Sequence, residues 1–417
     1  MPGALPDGEP VPADGNLPDS AYRGLGERPF GIYVHVPFCA TRCGYCDFNT
    51  YTAAELGTRS PADLAPVSLG TYPDLAIAEI GFARKVLASE RHRTDVRVST
   101  VFFGGGTPTL LPPGALGGIL RAIDAEFGLQ PGAEVTTEAN PESVDEAALN
   151  EMRAEGITRV SFGMQSAVPG VLAVLDRVHQ PGRPARCARW ARAAGFEHVS
   201  LDLIYGTPGE SDADWRCSLD AAVAAEPDQV SAYALTVEAG TRLAARVRRG
   251  ELLPPDDDVL ADRYVIADEV LTAAGLSWYE ISNWAAAASS RCAHNMGYWT
   301  EGDWWGIGPG AHSHVAGTRW WNVRHPAAYG ARIAAGNSPG QAREVLAASQ
   351  RQLERVMLGI RLAEGVEVAV LGPAGRMNAE SVVAEGLASP GAFARGRIAL
   401  TRRGRLLADA VTRKLTE

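Results

Sequence analysis

Cys39, Cys43 and Cys46 stand at Cys-x3-Cys-x2-Cys spacing in a short loop, directly after the apolar run Gly31 to Phe38. Three thiolates so close in sequence suit an iron–sulfur cluster whose fourth iron has no protein ligand and stays open to a small molecule. Two other readings compete. A structural zinc site would need a fourth ligand, and Asp47 and His35 are poor candidates by position. A disulfide would span a very short loop and leave one thiol over.

Further polar groups recur at the ends of strand-like runs. They are Gly104-Gly105-Gly106-Thr107-Pro108, Glu138-Ala139-Asn140-Pro141, Ser161 to Ser166 with Arg177 and His179 soon after, and Asp202 with Tyr205-Gly206-Thr207-Pro208. Singly, each has a plain structural reading: the triple glycine as a tight turn, Glu138 or Asp202 as a helix cap, Arg177 as a solvated charge. Together they suit a ligand with an amino group, a carboxylate and ribose hydroxyls. S-adenosylmethionine carries all three.

The elements that must position these groups alternate. Strand-like runs are Gly31 to Phe38, Arg97 to Phe103, Ala133 to Glu138, Thr158 to Gly163, His198 to Tyr205 and Gln229 to Leu235. Between them lie helical patterns at Tyr72 to Ser89, Pro113 to Phe127, Val144 to Ala154, Arg183 to Ala194 and Ser211 to Ala225. The alternation predicts an α/β fold of parallel βα units, with its ligand site at the C-terminal strand ends. Residues 1–28, rich in Pro, Gly and Asp, read as a disordered lead, and 29–240 as the core domain. A helical and tryptophan-rich extension spans 241–345 and holds every tryptophan except Trp190 and Trp215. The stretch 346–417 reads as a helix over Gln350 to Arg361, a glycine-broken middle, a hairpin-like turn near Arg395 to Leu400 and a final helix, Thr401 to Leu415. That order predicts a small winged-helix-like α+β domain.

The chain has 417 residues, 46% hydrophobic and 21% charged, which is globular composition. Its net charge of −10 argues against a nucleic-acid partner. No apolar run is long enough for a membrane span, and no secretory leader is evident. Cys187, Cys217 and Cys292 are scattered without a pairing pattern, so a cytoplasmic location is expected. Peripheral docking on a membrane protein is compatible with this.

The motifs YVHVPFCATRCGYCDFN, FFGGGTPT, TEANPES, SFGMQS with DRVH, and SLDLIYGTPGES follow one another over Gly31 to Thr236. In this order they resemble the radical S-adenosylmethionine superfamily, and within it the relatives of oxygen-independent coproporphyrinogen III oxidase. The resemblance implies a partial (β/α)6 barrel and a [4Fe-4S] cluster on Cys39, Cys43 and Cys46. It also implies a cofactor site lined by Tyr33, Gly105, Gly106, Thr107, Glu138, Gln165, Arg177 and Asp202, with Tyr45 and Phe48 helping to exclude water.

Two departures shift the expected function. The oxidase has a fourth cysteine two residues past the third, where this chain has Phe48. The segment His294-Asn295-Met296-Gly297-Tyr298-Trp299, followed by Gly306-Ile307-Gly308-Pro309-Gly310-Ala311-His312-Ser313, resembles the HemW-type heme chaperones, in which an HNxxYW motif is associated with heme. That resemblance implies a chaperone that binds heme, through His294 with Trp299 as a wall, and hands it to an acceptor protein, with a respiratory membrane protein as one candidate class. A packed histidine is the competing reading of His294, and Cys292 is an alternative thiolate ligand. The rival function is coproporphyrinogen III decarboxylation, and a radical enzyme acting on another tetrapyrrole is a third. An intact cofactor site does not by itself imply turnover, and oxidase activity is not expected.

Overall fold

A computed structural model describes residues 7–59, 64–88 and 96–417, the side chains of 57–59 aside. Met1 to Pro6 of the lead, and Ser89 at the end of the first predicted helix, lie outside the described residues.

The strands are β1 (Glu9–Pro10), β2 (Phe30–Val36), β3 (Val98–Gly105), β4 (Leu129–Ala139), β5 (Arg159–Gln165), β6 (His198–Tyr205) and β7 (Gln229–Ala234). After them come β8 (Ser277–Glu280), β9 (Asn283–Ala285), β10 (Asp303–Ile307), β11 (His312–Val315), β12 (Thr318–Asn322) and β13 (Gly340–Val345). All join one 13-stranded sheet in the order β1-β13-β12-β11-β10-β2-β3-β4-β5-β6-β7-β9-β8. Strands β2 to β7 are parallel and in chain order, as the βα alternation predicts.

Alternation within each strand shapes this sheet. Val160 and Phe162, or Leu201 and Leu203, are buried in the main apolar core with the covering helices. Their neighbours Ser161 and Gly163, Ser200 and Asp202, and Gln229 and Ser231 all line one cavity with Tyr33, Phe102, Thr136 and Glu138. Side chains from β2 through β7 can share a cavity only if the sheet curls around it, which is the partial barrel. Local signals fix the helices between strands: Asp145 Oδ1 accepts from Ala148 N–H at 2.8 Å before Glu146–Ala154, and Ser211 with Asp214 forms a capping box before Asp212–Ala224.

Three expectations need correction. The lead is not a disordered tail over residues 7–28. β1 pairs with β13, Arg343 Nε donates to Glu9 Oε1 at 2.7 Å, and Leu17, Ala21, Tyr22 and Leu25 are buried in the core. Its Pro and Gly content masked a few well-placed apolar side chains that suffice to hold it. The tryptophan-rich extension is not outside the barrel either, because β10 pairs in parallel with β2 from Asp303 opposite Phe30 to Ile307 opposite Val34. In the last module, the glycine-broken middle contains the helix Pro373–Ala384, and Arg397–Ile398 pairs with the distant Val366–Glu367 rather than in a local hairpin. This module has its own apolar core, including Val356, Ile360, Val382, Ile398, Val411 and Leu415.

Candidate functional site

The cysteine loop is fixed at both ends by backbone pairing. Tyr51 N–H donates to Pro37 O at 2.7 Å and Cys39 N–H to Tyr51 O at 3.0 Å, so residues 39–51 form a closed loop at the end of β2. Its middle is held as well: Gly44 N–H donates to Leu175 O, and Leu243 N–H donates to Gly44 O at 2.8 Å. The glycine run docks against the same point, with Gly106 N–H on Val36 O and Thr107 N–H on Phe38 O, each at 2.8 Å. A Cβ on Gly106 would lie 2.4 Å from Phe38 O, and Gly105 sits at φ +107, so both the close approach and the backbone form require glycine here. The tight-turn reading and the ligand-lining reading of these glycines are therefore compatible.

A cavity of about 730 Å³ opens at the C-terminal strand ends. Its walls include Cys39, Cys43 and Cys46 and all eight residues expected around S-adenosylmethionine, Tyr33, Gly105, Gly106, Thr107, Glu138, Gln165, Arg177 and Asp202. His294 lines it too. The three thiols are unpaired with one another. Burial raises the thiol pKa of Cys39 and pushes that of Cys46 up to about 12, so these sulfurs ask for a cation to stabilise their thiolates. Cys43 has a protein cation of its own: Arg177 Nη1 lies 3.5 Å from Cys43 Sγ while Nη2 donates to Gly163 O at 2.7 Å.

The polar wall is underpaired. Glu138 Oε2 accepts from Gly105 N–H at 3.1 Å, and burial, then the neighbouring charge of Asp202, push its pKa up to about 8. Ser161 Oγ lies 3.0 Å from both Asp202 oxygens. Arg177 Nε and Thr136 Oγ1 are buried without a partner among the described residues. Buried polar atoms without protein partners, facing a cavity, are what a polar ligand leaves when the protein is viewed alone. Gln165 adopts φ 63, a backbone form uncommon outside glycine, at the point where the register of β5 against β6 shifts. The residues thus fit a cluster beside a zwitterionic, hydroxyl-bearing ligand.

His294 departs from the sequence reading. Its Nδ1 lies 2.8 Å from Thr100 Oγ1 and its Nε2 2.8 Å from Tyr298 Oη, so both ring nitrogens are engaged inside the protein. The ring stacks on Phe102 at 5.3 Å and is 4% exposed, and burial lowers its pKa to about 3. Iron ligation here would first have to break one of those bonds. Nor is the segment independent of the cofactor cavity, because His294 packs on β3 beside Tyr33. Trp299 lines neither this cavity nor the one next to it, whereas Trp304 lines the second.

Sequence reasoning missed several supports. His35 Nε2–H donates to Asn49 O at 2.9 Å, which leaves Nδ1 to accept from Tyr33 Oη at 3.0 Å, so one neutral imidazole ties the cofactor wall to the cysteine loop. Burial lowers the His35 pKa to about 4, which keeps that arrangement neutral. Arg159, 1% exposed, joins Glu134 at 3.7 Å, Ser200 at 3.1 Å and Gln229 across the barrel floor. The signal for Arg159 was a lone cation inside an apolar strand run. For His35 there was only its alternation with Tyr33.

Residues 33–222 match the model of the Radical SAM superfamily. The chain is 53% identical to the heme chaperone HemW of Mycobacterium tuberculosis over 388 residues, covering 93% of this chain and 95% of that protein. It is 34% identical to heme chaperone HemW of Escherichia coli K12 over 287 residues, 69% of this chain and 70% of that protein. Among solved structures, coproporphyrinogen III oxidase (HemN) from Escherichia coli, a radical SAM enzyme, superposes with a TM-score of 0.78 over 97% of this chain and 94% of that one. At 19% identity this last likeness speaks to the fold alone. With its cysteine loop, its curled sheet and a relative matched almost end to end, the chain belongs to the HemW family within the radical SAM superfamily.

Proposed function

We propose that this protein is a cytoplasmic heme chaperone: it binds heme and passes it to an acceptor protein. Cys39, Cys43 and Cys46 hold a [4Fe-4S] cluster, and Tyr33, Gly105, Gly106, Thr107, Glu138, Gln165, Arg177 and Asp202 line the place of S-adenosylmethionine. When bound, the cluster supplies a single electron to that cofactor. The chain's own part is to hold the ligand's charged end beside Arg177 and Glu138, to keep the cavity closed with Tyr45 and Phe48, and to fix Tyr33 through His35. Among the described residues no helix is long and apolar enough to cross a membrane. An acceptor of the respiratory membrane would therefore be met by docking at the surface.

The observation that carries this reading is the near full-length likeness to a heme chaperone. The absence of a cysteine two residues past Cys46 agrees with it. Anaerobic reconstitution followed by two parallel assays tests it. Stoichiometric heme binding with transfer to an apo-acceptor, and no conversion of coproporphyrinogen III, is the expected result. Stoichiometric protoporphyrinogen IX formation under strict anaerobiosis would reverse the choice in favour of the oxidase.

A further inference from the structure

A second chamber of about 680 Å³ adjoins the cofactor cavity and shares the walls Tyr33, Asp47, Phe48 and Tyr298 with it. Trp304 and Tyr298 meet edge to face on its inner side at 4.6 Å, and Phe48, 57% exposed, forms its lip. The chamber thus has flat apolar walls of the kind a macrocycle needs.

Charge is added on the other side. Arg28, Arg319, Arg324 and Arg351 all line it. Arg319 is committed to Glu344 and Glu354, each at 2.7 Å, and the chamber's Glu301 is committed to Arg355 at 2.7 Å. Arg28 and Arg351 have no ion-pair partner among the described residues, and Asp47 is the chamber's one acid of which the same holds. The chamber therefore carries surplus positive charge near its aromatic wall, the arrangement that suits a flat dicarboxylate.

The imidazoles decide the iron. His35 and His294 have both ring nitrogens engaged, as described above. His314 is engaged likewise, with Nδ1–H donating to Gly302 O at 2.9 Å and Nε2 accepting from Gly317 N–H at 3.0 Å. His312 differs. Its ring lies against Trp321 at 5.8 Å, its side chain opens to the chamber, and neither ring nitrogen has a hydrogen-bond partner among the described residues. Partial burial, then the charges of Arg324 and Arg319, lower its pKa and keep the ring neutral and able to ligate. Its backbone is anchored: the preceding turn is held by Glu79, which accepts from Gly308 N–H at 2.7 Å, and by Asn49 of the cysteine loop, which donates to Pro309 O at 3.0 Å.

We infer that the second chamber is the heme site, with His312 as the iron ligand, Arg28 and Arg351 receiving the propionates, and Trp304 and Tyr298 walling the macrocycle. This rests on the heme-carrier reading. It places bound heme across a shared wall from the cluster loop, with Tyr298 as the part of the HNxxYW segment that reaches the heme.

Hemin titration of the full chain, with metal-free protoporphyrin IX in parallel, tests the site. His312→Ala is expected to weaken hemin binding at least tenfold and to shift the Soret band, with added imidazole restoring the spectrum and protoporphyrin IX affinity unchanged. His294→Ala should keep the wild-type Soret position. Arg351→Glu should weaken hemin and protoporphyrin IX alike but leave the affinity for the porphyrin dimethyl ester unchanged. Wild-type hemin binding and spectrum in a folded His312→Ala protein would overturn the site while leaving the carrier reading standing. Failure of the wild-type protein to bind hemin at all would overturn both.

Discussion

Burial, more than any single partner, sets the protonation of two carboxylates inside the protein. Glu138 is held near pKa 8, and Glu79, under the Gly308 turn, near 7, against an ordinary 4.5 for each. Below about pH 6.5 their effect on stability is opposed by His35, His179 and His294, whose buried imidazoles take up protons only in the unfolded chain; between about pH 6.5 and 8 the raised carboxyls dominate, the folded protein binds more protons than the unfolded chain, and stability falls as pH rises. One such group contributes a slope of up to about 1.4 kcal/mol per pH unit. The melting temperature of the ligand-free protein should drop from about pH 6.5 to pH 8, and Glu138→Gln should flatten that drop. A parallel pH profile in the variant would mean that Glu138 titrates normally. The thiols allow a second prediction at this scale. Alanine at Cys39, Cys43 or Cys46 should bring iron and acid-labile sulfide to background, because each removes one of three cluster ligands. Alanine at exposed Cys217 should leave both unchanged. Full iron loading in Cys43→Ala would sink the assignment.

The short helix Ala293–Trp299 depends on a residue from another element. Its own N-cap, Cys292, makes no side-chain cap bond. Glu134 of β4 takes that place, accepting from Ala293 N–H and His294 N–H at 3.1 Å each while it pairs with Arg159. A carboxylate at a helix N-terminus satisfies free amides and meets the positive end of the helix dipole. Glu134→Ala removes that cap and leaves buried Arg159 a partner short, at a cost on the order of 2 kcal/mol. Amide exchange should accelerate over residues 293–299 and stay near wild type in β5 and β6, with Glu134→Gln milder. Uniform acceleration through the sheet would show instead that Glu134 supports the whole core.

At the scale of the whole molecule, the C-terminal module is joined to the rest through directional polar contacts. Arg405 lies 3.8 Å over the Trp278 ring and donates to Asp268 Oδ1 at 2.8 Å, and the same oxygen accepts from Trp284 Nε1 at 3.0 Å. Ala363 N–H donates to Tyr279 O at 2.9 Å, which brings the module's backbone against β8. A partly buried cation–π contact and its ion pair are worth about 1–2 kcal/mol together. Arg405→Ala should therefore increase protease cleavage near residues 346–348 and leave the cluster content of the core unchanged. An unchanged digestion pattern would mean that the module's other ion pairs, Arg319–Glu354 and Arg355–Glu301 among them, and its apolar contacts suffice to hold it.

What the sequence determined by itself was whatever is encoded over a few consecutive residues. Cysteine spacing, apolar runs and glycine turns are local, and they were enough for the order of β2 to β7 and for a loop that brings Cys39, Cys43 and Cys46 together, whereas the eight residues around the cavity were named through the family resemblance. Tertiary structure decided what depends on distant partners. The pairing of β10 with β2 joins segments more than two hundred residues apart. The N-terminal segment is ordered because Glu9 finds Arg343 and Tyr22 finds the core. The histidines show the same division most plainly. The sequence sets His294 beside Tyr298 and Trp299 and His312 in a glycine-rich turn, and only packing fills both nitrogens of His294 while leaving those of His312 facing a chamber. An imidazole's capacity to ligate rests on its unused lone pair, and that is settled by neighbours the chain brings in from elsewhere.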